Sequence, residues 1–297
     1  MVMPVRSLVL SSAAGSITPN LRSNTTPGFC ALKPFPGLGL LSVSTEWDET
    51  ADDGANFAGA TFNPRDVFLR LRINGASEAE LLDYLSTLTR ILDVRNGPMT
   101  LAWTVAGQTW ELRNLYRVGE GDAGVGDLAA TDMRRRLTLP PLQLRTGSPM
   151  WVRATALQKI LAPSAETRGM IDGHSLADLR LSSGAVIGSV AIENDGDADA
   201  YPVVRVDGPA TAYTATSPRG EVIAWAGALT AGHFLLFDHE AKTVVDDLEA
   251  NVYAELGTVP RFWAIPPGVT TAGFVVTGSA STTRVTLSWK PRRQAVI

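Results

Sequence analysis

Few residues in this 297-residue sequence stand at spacings that chemistry requires. Gly119-Glu120-Gly121-Asp122-Ala123-Gly124 matches the letters of a GxGxxG phosphate cradle. Glu120, Asp122 and Asp127 would repel an anion, however, and no helical period follows to aim free N–H groups at it. The run reads as an acidic loop. Asp195-Gly196-Asp197-Ala198-Asp199 has the spacing of the first three ligands of a calcium loop. The sixth and twelfth positions, which need Gly and Glu, hold Ala200 and Val206. It reads as an acidic turn between strands, with a calcium site of another, sandwich-borne kind left open.

The histidines are His174, His233 and His239. On a strand, His233 and His239 would lie about 20 Å apart, too far for a metal whose ligands each sit about 2 Å away. No HxH, HExxH or GxSxG spacing occurs, and Asp246 and Asp247 would face opposite ways on a strand. Cys30 stands alone, which excludes an intramolecular disulfide and a Cys-based metal centre. Arg134-Arg135-Arg136 suits ion pairs across strands or between subunits better than a phosphate contact. Seven tryptophans (Trp47, Trp103, Trp110, Trp151, Trp225, Trp263 and Trp289) could stack on sugars if exposed. Their apolar strand contexts place them in the core or at interfaces. The sequence predicts no catalytic residue, no cofactor and no metal.

Composition agrees. With 26 Lys+Arg against 30 Asp+Glu, the net charge of −4 offers no basic excess for nucleic acid. The 45% hydrophobic content argues against disorder. Gly and Pro together number 45, a supply of turns that suits a β-rich chain. The apolar run Leu8-Val9-Leu10 after Arg6 is too short for a signal-peptide core, and no stretch is long enough to span a membrane. A soluble protein folded in a cytoplasm is expected.

The elements follow from periodicity. Val67 to Ile73 alternates cleanly, with Arg70 and Arg72 opposite the apolar face, as a half-buried strand does. Ser77-Glu78-Ala79-Glu80 is a capping box. Leu81, Leu82, Leu85, Leu88 and Leu92 then carry one amphipathic helix over Glu78 to Asp93, stopped by Asn96-Gly97-Pro98. Met99 to Val105 and Gln108 to Val118 form a hairpin turned at Ala106-Gly107. Met133 to Leu139 is a further strand candidate. Pro140-Pro141 and Arg145-Thr146-Gly147-Ser148-Pro149 mark a boundary, giving a β domain with one covering helix over 1–146 and a second domain over 147–297. In the second, short strands are expected at Val186–Ile192, Pro202–Val206, Glu221–Trp225, His233–Asp238, Phe274–Val276 and Thr283–Trp289, the spacing of a jelly-roll-like β-sandwich.

The order of these landmarks resembles the distal tail (Dit) proteins of siphophages, the phages with long non-contractile tails. In the first half the resemblance rests on the alternating strand, the capped helix and the hairpin ending in Trp110-Glu111-Leu112-Arg113. Ser148-Pro149-Met150-Trp151 resembles the family's approach to its second domain. Further on, Asn194-Asp195-Gly196-Asp197-Ala198-Asp199-Ala200-Tyr201-Pro202 resembles its Asn-x-Gly-Asp-Ala-x-Ala-x-Pro run. Gly208-Pro209, Gly232, Asp238, Pro267-Gly268 and Trp289-Lys290-Pro291-Arg292 follow in the family's order. As family-motif positions of structural character, the resemblance singles out Trp151, Asn194, Gly196, Asp197, Pro202, Gly208, Pro209, Gly232, Asp238, Pro267, Gly268, Trp289, Pro291 and Arg292.

The resemblance implies a mainly β protein. Its first domain would be tail-tube-like and ring-forming, and its second a galectin- or jelly-roll-like sandwich projecting outward. It implies a homohexameric ring at the virion tail tip, assembled in the host cytoplasm. The implied partners are the tail tube protein, the tape measure protein, the tail-tip hub or tail-associated protein and receptor-binding proteins. Genomic DNA would pass transiently through the lumen, and no membrane anchor is implied. No insertion for docking a large adhesin is evident in the second half. A carbohydrate-binding phage adhesin is the alternative. The 22 Arg against 4 Lys suit ion pairs between subunits. In a ring, the Met99–Val118 hairpin and the Val67–Ile73 strand would form the inter-subunit wall, with the helix behind and the Gly119–Asp127 loop at one end.

Overall fold

The computed structural model describes residues 6–23, 25–50, 53–119, 135–162 and 186–296. The chain divides into two units: Met1–Ala154 joined by Arg292–Ile297, and Thr155–Pro291. Both are mainly β.

Unit 1 is built on β1 (Ser7–Ser12), β2 (Gly15–Ile17), β3 (Gly28–Leu32), β4 (Val43–Glu49), β5 (Ala55–Phe62) and β6 (Arg65–Asn74). Helix α1 (Glu78–Ile91) comes next, then β7 (Met99–Val105), β8 (Gln108–Val118), β9 (Arg136–Thr138), β10 (Leu142–Thr146) and β11 (Trp151–Arg153). The main sheet runs β2-β1-β7-β8-β10-β6-β3, with β9 on β6 and β11 on β8. Its buried face carries Leu8, Leu10, Val67, Leu69, Leu71, Ile73, Leu101 and Leu112, every one an alternate residue of its strand.

The helix begins where its sequence says it should. The Ser77 hydroxyl accepts the Glu80 N–H at 3.2 Å, and the Glu80 carboxylate accepts the Ala76 N–H at 2.6 Å. The Tyr84 hydroxyl, donating at 2.7 Å, holds the Glu80 carboxyl below its usual range. Leu81, Leu88 and Ile91 are buried against the sheet, whereas Leu82 is exposed rather than part of the stripe. The helix closes before Asp93, because the Asp93 side chain accepts the Arg95 N–H and starts a separate 3₁₀ turn over Val94–Asn96.

The β7–β8 hairpin forms with the expected bounds. Ala106 and Gly107 take φ of 51° and 78°, the paired positive angles of a tight hairpin turn. Its place in the sheet corrects an expectation, however. The outer side of β7 pairs with β1, and that of β8 pairs with β11 and then β10. The hairpin therefore has no long free edge to offer another subunit. Of the described part of the expected Met133–Leu139 strand, Arg136–Thr138 is strand; Met133, Arg134 and most of the Gly119–Asp127 loop lie outside the described residues.

The unit boundary also differs from the sequence reading. The breakers at 147–149 make a corner inside unit 1, where the Thr146 hydroxyl donates to Arg113 O and accepts the Ser148 N–H. That corner delivers β10 and β11 to the same side of β8, so the chain leaves the unit only after Ala154.

Unit 2 holds β12 (Leu157–Leu161), β13 (Val186–Asn194), β14 (Pro202–Asp207), β15 (Ala210–Thr216), β16 (Val222–Leu229), β17 (Phe234–Asp238), β18 (Thr243–Asp246), β19 (Gly268–Thr277) and β20 (Arg284–Trp289). Two antiparallel sheets, β12-β20-β14-β17-β18 and β13-β19-β15-β16, bury one shared core. Tyr213 of one sheet meets Phe237 of the other with ring centroids 4.8 Å apart, the geometry of a β-sandwich. The chain then returns to unit 1 as β21 (Arg292–Arg293), which pairs with β11.

Candidate functional site

The residues most often used for chemistry are placed apart. His239 is buried: its Nδ1 accepts the Trp263 N–H at 3.0 Å, and burial pushes its pKa down to about 3. The ring is neutral and holds a loop. His233 is exposed, its Nδ1 2.9 Å from Asp247. Cys30 is buried, with its thiol pKa raised by burial and Asn74 Nδ2 3.3 Å from its sulfur. His174 and residues 120–124 of the glycine-rich run lie outside the described residues. Among the described residues, no group of three or more His, Cys, Asp or Glu is placed to hold a metal.

The motif residues of unit 2 do structural work at its turns. Asn194 is buried at the end of β13, where its Nδ2 donates to Ala198 O and Ile265 O at 3.0 Å each. Its Oδ1 accepts the Gly196 N–H, so one amide side chain shapes the whole Asp195–Asp199 turn. Asp197 is exposed there, and Asp199 takes a bidentate ion pair from Arg219. Pro202 opens β14, and its carbonyl accepts the His239 N–H. Gly208, before Pro209, has no room for a Cβ because the Thr230 carbonyl lies against it. The Pro209 carbonyl accepts from Thr283. Gly232 turns the chain into β17 at a φ of 89°. Asp238 ends that strand by accepting the N–H groups of Glu240 and Ala241. Gly268 follows the exposed Pro267 and starts β19 at a φ of 91°. Trp289 is buried, and its indole N–H donates to Glu193 O in the opposite sheet.

Two further motif positions, Trp151 and Arg292, belong to a clasp in unit 1. Pro291 is the final residue of unit 2, and Arg292 and Arg293 pair with Val152 and Trp151. Trp151 is fully buried, Arg293 lies 4.5 Å over the Trp110 ring, and Val296 enters the core. The residue that organises this region was not among those singled out from the sequence. Arg65 is 4% exposed. It donates to Pro149 O at 2.7 Å, Gly39 O at 2.9 Å, and Gly37 O and Gln294 O at 2.5 Å each. Burial lowers its pKa to about 10. A signal existed: carried two residues back, the alternation of Val67, Leu69 and Leu71 puts Arg65 on the buried face.

One feature of unit 1 points outward. Among the described residues, strands β4 and β5 pair only with each other, and almost every residue in them is exposed. The register puts Val43 opposite Phe62, Thr45 opposite Ala60 and Trp47 opposite Phe57. Trp47 and Phe57 meet edge to face at 5.5 Å while remaining 57% and 58% exposed.

No protein-family model matches the sequence, and no curated protein does. Solved structures do match the fold. The crystal structure of SPP1 Dit (gp 19.1), described as a paradigm of the hub adsorption apparatus in phages infecting Gram-positive hosts, aligns at a TM-score of 0.61 and 13% identity. That alignment covers 96% of this chain and 98% of the other. A chain of the phage P2 baseplate in its activated conformation with Ca aligns at a TM-score of 0.54 and 10% identity, over 98% of this chain and all of that one. The strontium form of the same baseplate gives 0.52. Across both units, the fold of this chain is therefore that of phage distal tail and baseplate hub proteins.

Proposed function

We propose that this chain is the distal tail protein of a siphophage, a structural component of the tail tip. It forms a hexameric ring that continues the tail tube and connects it to the baseplate, with a channel for DNA. The observation that carries this reading is the end-to-end fold match, in which unit 1, unit 2 and the returning tail together span almost the whole of a hub protein. The burial of Trp225, Trp263 and Trp289 weighs against the adhesin alternative, since none presents a free ring face for a sugar. The role calls for scaffolding and self-association, not turnover. The tail tube, tape measure, tail-associated and receptor-binding proteins are the proposed neighbours in the virion.

The test is native mass spectrometry and negative-stain imaging of the full chain. Rings of six with an open centre are expected. A monomer at all concentrations that binds host cell-wall glycan would overturn the reading in favour of an adhesin.

A further inference from the structure

Unit 2 carries a cavity of about 350 Å³ lined by Glu221, Lys242, Tyr253, Pro260, Arg261 and Phe262. It opens where the chain enters β16 and β18, against the segment that leads to β19. Ligand pockets begin at about 300 Å³, so there is room for one small ring. An aromatic face, two cations and a carboxylate converge on it.

The aromatic wall is built outwards from the core. Buried His239 accepts the Trp263 N–H, which fixes the neighbouring Phe262. The Phe262 ring stands edge-on to His239 at 5.5 Å. On Phe262 lies Tyr253, with ring centroids 6.2 Å and planes 19° apart. The Tyr253 N–H donates to Asn251 Oδ1 at 2.8 Å, yet the residue stays 45% exposed. A ring backed by a second ring and still half in water is a platform for a flat C–H surface. The ring is a tyrosine's, and the buried tryptophans of unit 2 take no part in it.

The charges are placed as firmly. The Arg261 N–H donates to Val222 O at 3.1 Å, which pins Arg261 beside Glu221. Lys242 takes a φ of 57°, an angle that Gly or Asn adopts more easily. Both side chains are exposed, and neither makes an ion pair among the described residues. Glu221 is held differently. Its Oε2 accepts the Ser217 hydroxyl at 2.5 Å, and that hydroxyl oxygen accepts the N–H groups of Arg219 and Glu221. Oε1 takes no donor among the described residues. Two unpaired cations call for an acid group. The fixed carboxylate oxygen accepts hydroxyls and repels an acid group, so it sets which end of a ligand lies where.

We propose that this cavity binds a saccharide bearing an acid group. The sugar ring lies on Tyr253, a hydroxyl donates to Glu221, and the phosphate or carboxylate meets Lys242 and Arg261. This goes beyond the tail-tip reading, which gives unit 2 no ligand.

The experiment is a ligand-observed NMR titration of the full chain with glucose 1-phosphate, glucuronate, glucose, inorganic phosphate and AMP. Glucose 1-phosphate or glucuronate is expected to bind with a Kd of about 1 mM or tighter. Glucose and inorganic phosphate should each bind at least about tenfold more weakly. Lys242→Asn with Arg261→Gln should erase the preference for the acid group. Tyr253→Ser should weaken binding about tenfold, whereas Tyr253→Phe, which keeps the ring, should retain it. All three side chains are exposed, so unchanged melting is expected in every variant. Binding of neither acidic sugar, equal binding of inorganic phosphate, or tighter binding of AMP overturns the assignment. So does full binding by the double variant or by Tyr253→Ser. Ring formation is measured separately, by mass, so failure here leaves the ring reading standing.

Discussion

Unit 2 hides its tryptophans, while unit 1 leaves one of its own in water. Trp225, Trp263 and Trp289 are all at most 4% exposed, against 57% for Trp47. The units also hold themselves together differently. In unit 2, Asn194 and Asp238 each cap the turn beside them, while the Asn194 amide also reaches Ile265 O and His239 reaches Trp263 beyond β18. In unit 1, Arg65 gathers carbonyls separated by more than two hundred positions in the sequence. A sandwich whose two sheets enclose their own tryptophans leaves none of those rings to cover. A sheet with the exposed aromatic β4–β5 hairpin has a surface left to cover, and assembly is expected to run through unit 1.

That contrast can be broken at its strongest point first. Replacing Arg65 with Ala leaves its buried site empty and removes four hydrogen bonds at once, and should cost about 4 kcal/mol. Urea unfolding combined with hydrogen exchange should place the loss in unit 1 and spare unit 2. Arg65→Lys should recover little, because an ammonium group cannot span the same acceptors. A loss below about 1 kcal/mol would show that the clasp does not hold the unit together.

The equivalent test in unit 2 is Asn194→Ala, which frees Ala198 O, Ile265 O and the Gly196 N–H. About 2–3 kcal/mol is expected, confined to unit 2. Asn194→Asp should be nearly as damaging, since an ionised carboxylate has no N–H to give two carbonyls.

Acid separates the units at smaller scale. His239 is neutral in the fold with a pKa pushed down to about 3, against 6.5 for the free side chain. Below about pH 6.5 the unfolded chain takes a proton that the folded chain refuses. Its contribution is therefore complete above that pH and falls as pH drops towards 3. At about pH 5.5 the loss should be roughly 1.4 kcal/mol, read as a lower denaturation midpoint for unit 2. His239→Gln, which keeps an acceptor for the Trp263 N–H, should remove this part of the acid sensitivity. An unchanged pH profile would show that His239 titrates normally.

The smallest effect is expected at the surface. Arg145 forks onto Asp66 at 2.8 Å and holds that carboxyl below its usual range. Both side chains are partly solvated, so Arg145→Ala should cost under about 1 kcal/mol and less in high salt. A larger loss in a double-mutant cycle would make this pair a structural element of unit 1.

How much was legible beforehand follows the distance over which each feature acts. Helix α1 and the β7–β8 hairpin were readable to within a residue or two, because capping, hairpin turns and alternation are decided by neighbours. Strand β15 was missed, since Ala210–Thr216 is all Ala and Thr apart from Tyr213 and shows little contrast between its faces. The motif positions of unit 2 were identified by resemblance, and the structure supplies the reason for several of them: a side chain or missing Cβ that a turn requires.

By itself, then, the sequence determined a mainly β chain in two parts, the position of helix α1 and the buried face of its central strands. These depend on interactions that close within a few residues. Only the tertiary structure decided that β7–β8 lies inside the sheet, that the tail returns to unit 1, that Arg65 joins four distant carbonyls and that β4–β5 stands uncovered. Each of those depends on which segments far apart in the chain meet. Alternation states that a face is buried, but it does not state what buries it.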